Sequence, residues 1–155
     1  MRACAICALS LALALAVAAP PAGAATFRVD DSSSFPREST TLLHWRQSAP
    51  ARDADDTLVG TAAVAVRLNL EPWLKRSGRL FLVFPEQGTP LVRVSWRSQG
   101  RLLPGEIAPG QRVLVYEGLI STPFLDETLA LAIQAAGNQL PEMRSLAFHF
   151  EIDTD

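Results

Sequence analysis

A chain of 155 residues, 48% hydrophobic and 19% charged, is long enough for one ordinary core and too apolar to stay disordered. Its formal net charge of −2 neither demands nor excludes an anionic partner. Both cysteines, Cys4 and Cys7, lie so early that the rest of the chain can hold no disulfide and no Cys-ligated metal, which leaves packing to supply the stability.

Met1-Arg2 is followed by an Ala/Leu run to Ala19, then Pro20-Pro21 and the small-residue triplet Ala22-Gly23-Ala24. A single charge, a short apolar stretch and small residues before a cut describe a secretory signal peptide over 1–24, with cleavage after Ala24. The cysteines sit too early to match the lipid-attachment position of bacterial lipoproteins. No later stretch is long and apolar enough to span a membrane. The mature chain, 25–155, is expected to be one domain, periplasmic or secreted.

From Thr26 to Thr41 the chain is polar, with only Phe27, Val29 and Phe35 as anchors, and reads as an extended lead-in to a first strand. Thr40 to Gln47 is a short β-prone segment in which Leu43 and Trp45 share a face. Pro50, Asp53, Asp55 and Asp56 mark an exposed acidic loop. Its carboxylates lack the turn glycine and terminal glutamate of a calcium-binding loop.

Leu58 to Leu70 alternates most clearly: Val64, Val66, Leu68 and Leu70 against Ala63, Ala65, Arg67 and Asn69, a strand with one wet face. Glu71-Pro72-Trp73 begins a single helical turn, with Trp73 at the end of the core. Arg79 to Arg97 then reads as a hairpin. Its two arms place Leu80, Leu82 and Phe84, and Val92, Val94 and Trp96, in one apolar layer. Pro104-Gly105 limits Arg101–Ile107 to a short or edge strand, and Ala108-Pro109-Gly110-Gln111 is a turn whose glycine takes positive φ.

A strand leaves that turn over Arg112–Tyr116. Phe124 to Gly137 fits a helix face and a strand face equally well, and the β neighbourhood with Gly137-Asn138 favours strand. Ser145 to Asp153 closes the chain with Leu146, Phe148, Phe150 and Ile152 on its inner face.

Seven or eight short strands separated by turns predict an all-β antiparallel sandwich of immunoglobulin-like layout, with one short helix. That label covers architecture alone, because the Cys and Trp spacing of antibody domains is absent.

Motifs for chemistry are scarce. His44 reads as a half-buried strand residue and His149, beside Glu151, as a solvated one. Neither lies in a nucleophile motif or in paired metal-ligand spacing, so no catalytic residue, metal or cofactor is named. Gly100, Gly105 and Gly110 open no helix, so no phosphate loop points to nucleotide or nucleic acid.

Two surfaces remain. Phe81 and Val83, with Leu114 and Tyr116, are apolar side chains left over once the core faces are assigned, and need cover from the chain itself or from a partner. Arg93, Arg97 and Arg101 form a cationic cluster suited to carboxylates or phosphates. The expectation is a non-enzymatic interaction or structural module of the bacterial envelope, engaging an envelope protein or another copy of itself. A sandwich binding glycans or anionic polymers is the alternative. A pilus-type subunit donating its N-terminal strand, and a hydrolase with an irregular site, follow behind.

Overall fold

The computed structural model describes residues 25–37, 43–46, 57–86, 92–136 and 147–154. The expected leader, the acidic loop at Asp53, Asp55 and Asp56, the 87–91 turn and Gly137-Asn138 lie outside the described residues. Those described form two antiparallel sheets packed face to face.

The four-stranded sheet has the order β1 (Ala25–Arg28), β10 (His149–Thr154), β5 (Ser77–Phe84) and β8 (Gln111–Leu119). The other runs β2 (Phe35–Pro36), β4 (Thr57–Asn69), β9 (Phe124–Ala136), β6 (Val92–Ser98) and β7 (Gly105–Ile107), with β3 (Leu43–Trp45) also paired to β4. The pieces of two or three residues, β2, β3 and β7, bring the described strands to ten.

The segment from Arg79 to Arg97 is not a hairpin. Its arms, β5 and β6, belong to opposite sheets, where β5 pairs with β10 and β8 while β6 pairs with β7 and β9. Alternation decides which side of a strand is apolar and leaves open which strand lies beside it. The apolar residues nevertheless meet: Leu80, Leu82 and Phe84 from one sheet and Val92, Val94 and Trp96 from the other are all buried in one core. They face each other across the sandwich, as packed inner faces do.

The polar lead-in also resolves differently, because it supplies an edge to each sheet. β1 pairs residue for residue with β10, from Ala25 opposite Thr154 to Arg28 opposite Glu151. β2 pairs Phe35 with Ala65. Between them Val29 is 1% exposed, and a bridge from Asp30 to Asn69 steps from one sheet to the other. Few apolar residues suffice here, since an edge strand satisfies its backbone on the neighbouring strand while the side chains of β1 and β2 stay exposed.

Phe124–Ala136 is a strand, matched to β4 over all thirteen positions from Thr57–Ala136 to Asn69–Phe124. The 3₁₀ turn Glu71–Trp73 carries Pro in its first turn and sets Trp73 into the end of the core. At Ala108–Gln111 the amide of Gln111 donates to the Ala108 carbonyl at 3.1 Å and Gly110 has φ +80°, the positive value expected at the third turn position.

Candidate functional site

On the outer side of the four-stranded sheet, Phe81 sits opposite Leu114, and Val83 opposite Arg112. All three apolar residues are half-buried. Tyr116 does not join them. A bulge in the β5–β8 pairing places Tyr116 opposite Leu80 although Leu114 is opposite Phe81, so Val115 is the extra residue. Val115 and Tyr116 then both turn toward the core. The Tyr116 hydroxyl donates to the Leu119 carbonyl at 2.8 Å, which satisfies the one polar atom the inward ring carries.

The remaining apolar patch has a cover from its own sheet. Arg112 reaches from β8 across the Phe81 ring, its guanidinium carbon 3.5 Å from the centroid. It donates to Glu151 at 2.8 Å and to Asp153 at 2.6 Å on β10. Thr26 of β1 donates to the same Asp153 oxygen at 2.6 Å. The hydrogen bond from Arg112 is the main force that holds the Asp153 carboxyl below the usual value of 3.8, with burial acting in the opposite direction. His149 completes the row at 3.3 Å from Glu151. Its side chain is 16% exposed and His44 is exposed, so burial of the two histidines is the reverse of that expected.

The outer face of the six-stranded sheet is shaped differently. Its central pair presents small side chains outward, with Ala63 opposite Ala130 and Ala65 opposite Thr128. Alanine is depleted in strands because it has little to pack against neighbours on the pleated surface. Here it leaves a trough between taller residues. Phe35 stands beside Ala65, and Arg37, whose amide bonds to the Ala63 carbonyl at 2.8 Å, stands at the end of the Ala63–Ala130 row. Arg97 stands opposite Ala130 at the other end. With strands about 4.8 Å apart, the two arginine backbones are about 14 Å from each other across the floor. The resulting open groove measures about 940 Å³ and is also bordered by Ser33, Arg67, Gln99 and Asp126.

The charge in this groove is predominantly positive. Arg37 donates to the neutral Thr128 hydroxyl at 3.1 Å. Arg67 shares its charge with Asp126 at 3.6 Å, both well exposed, and lies over the Phe124 ring. Arg97 has no ion-pair partner among the described residues. Glu127 also borders the groove, but its carboxylate is engaged from the 98–102 turn. Its carboxylate accepts from the Leu102 amide at 3.1 Å, and also from the Ser98 hydroxyl and the Arg101 amide, which binds the 98–102 turn onto β9.

Of the cationic cluster expected from the sequence, the fold keeps only Arg97 at this groove. Arg93 is ion-paired with Glu106 on β7 and borders a smaller hollow of about 460 Å³ with Pro109 and Gln134. Arg101 donates to the Thr122 hydroxyl at 3.2 Å. Arg37 and Arg67 join Arg97 at the groove from beside β2 and from β4. The alternation that makes Arg67 outward was legible, but the pairing of β2 with β4 and of β6 with β9, which gathers the three arginines, was not.

Among the described residues no group of three His, Cys, Asp or Glu is placed to hold a metal ion, and no helix is long and apolar enough to cross a membrane. Comparison with protein families, curated proteins and solved structures finds no match to this chain.

Proposed function

We propose that this chain is an exported, non-enzymatic binding module of the cell envelope that engages a chain-like partner in the groove across its six-stranded sheet. The observation that carries the reading is the Ala63–Ala130 row flanked by Arg37 and Arg97. Small residues on a wet face add nothing to the core, and they give up the cross-strand packing that larger residues supply. Their use here lowers the floor, so that Arg37 reaches across β4 to Thr128 while Arg97 borders the far side. Export rests on the leader expected over 1–24.

Ala130→Trp places a large ring on an exposed position of the floor. The purified variant should fold as the parent does by circular dichroism and urea unfolding, and should lose capture of whatever the tagged parent retains from envelope extracts. Undiminished capture by a folded Ala130→Trp protein contradicts the reading.

A second reading keeps the partner on the opposite sheet, at Phe81, Val83 and Leu114, because these stay half-buried and not fully covered. Tyr116 takes no part in it, and Arg112 would have to release Glu151 and Asp153 to uncover Phe81. That requirement makes it the weaker of the two.

A further inference from the structure

We propose that the occupant of the groove is a linear carboxylated saccharide chain, of the uronate type; the proposal rests on the groove being the binding site. Charge complementarity is the first argument. Arg37, Arg67 and Arg97 outnumber the two carboxylates that border the same trough, Asp126, which pairs with Arg67, and Glu127, which is engaged by the 98–102 turn. A guanidinium offers a planar pair of donors that matches a carboxylate, and neither Arg37 nor Arg97 is ion-paired with a carboxylate among the described residues.

The lining distinguishes a sugar from an acidic polypeptide. The groove is also lined by Thr128, Ser33 and Gln99, hydroxyl and amide groups that can both donate and accept toward ring hydroxyls. Phe35, 60% exposed at the wall, presents an apolar ring face against which the C–H face of a pyranose can lie. A protein partner gains most from large side chains inserted into apolar pockets, and a floor of methyl groups from Ala65 and Ala130 provides none. A polymer that lies flat and carries a charge on each unit needs no such pocket.

The test uses the mature protein and a fluorescently labelled oligogalacturonate of about ten units, followed by anisotropy. Its methyl-esterified form and poly-L-glutamate of equal length serve as comparison ligands. Binding is expected for the oligogalacturonate, weakening steeply with salt as charged contacts are screened. Arg37→Ala and Arg97→Ala should each weaken it roughly tenfold, consistent with loss of one charge-assisted contact. Ala130→Trp should abolish it, and the methyl ester should bind much more weakly.

Poly-L-glutamate binding as tightly, with the same loss in the variants, overturns the saccharide assignment and leaves the groove as the site. Oligogalacturonate binding that ignores all three substitutions overturns both. Failure of the oligogalacturonate to bind overturns the saccharide assignment alone if Ala130→Trp still abolishes capture from extracts.

Discussion

Arg112 joins three strands through one side chain: it belongs to β8, covers Phe81 of β5 and is held by Glu151 and Asp153 of β10. Removing it leaves Phe81 wetter and two carboxylates side by side. Arg112→Ala should cost about 1–2 kcal/mol at neutral pH, more than an isolated surface pair because cation–π and ionic contacts coincide. Asp153 adds a pH dependence of definite sign. Its carboxyl is held below 3.8 in the fold, so the stability it contributes is complete above that value and is lost as pH falls through the lowered one. Urea unfolding at pH 7 and pH 3 should therefore show the gap between parent and Arg112→Ala narrowing in acid. A gap that widens or stays constant contradicts this arrangement.

Gly105 is a second single-residue constraint. A Cβ there would stand 2.6 Å from Cζ2 of Trp96, whose ring is 2% exposed and whose Nε1 donates to the Leu103 carbonyl at 2.9 Å. The ring has nowhere to retreat. Gly105→Ala should destabilise by about 1–3 kcal/mol, as overpacking does, and a melting temperature equal to the parent's would show that the ring can move.

Among the strands, β8 shows most clearly how one inserted residue redirects a face. Period-two alternation puts Leu114 and Tyr116 on the same side, yet the bulge at Val115 sends Tyr116 inward and leaves Leu114 outward. The two positions should then respond unequally to the same change. Tyr116→Ser empties a core-facing site and should cost about 2–4 kcal/mol, while Leu114→Ser should cost less than about 1.5 kcal/mol. Equal losses by urea unfolding argue against the bulge.

Faces were thus readable in the sequence wherever alternation was unbroken, as in Val64 to Leu70, Phe148 to Ile152 and the two arms around 87–91. Two kinds of information were not. The first is local irregularity: nothing in Val113-Leu114-Val115-Tyr116 announces the residue at which the register slips. The second is neighbourhood. Whether β5 lies beside β6 or across from it depends on competition among all the strands for pairing partners, and a single strand's pattern holds no record of that competition. The groove was missed for this second reason, because its walls come from β2 and β6 and its floor from β4 and β9, segments far apart in the chain.

The two faces of the sandwich are finished in opposite ways. Outside the four-stranded sheet, long side chains interlock across the strands, and outside the six-stranded sheet short ones leave space between arginines. No disulfide can tie the two sheets together, since the chain beyond residue 24 carries no cysteine. The exported protein should have a mass that begins at Ala25, and its urea midpoint should not respond to dithiothreitol. A mass retaining Met1 to Ala24 would sink the leader reading.

The most direct test of the groove as the binding face is a titration of ¹⁵N-labelled mature protein with unlabelled oligogalacturonate, following backbone amides by NMR. Shifts confined to residues 33–37, 63–67, 97–100 and 126–130, with the amides of β5, β8 and β10 unmoved, are the predicted result. Perturbation centred instead on Phe81, Leu114 and Glu151 would contradict it.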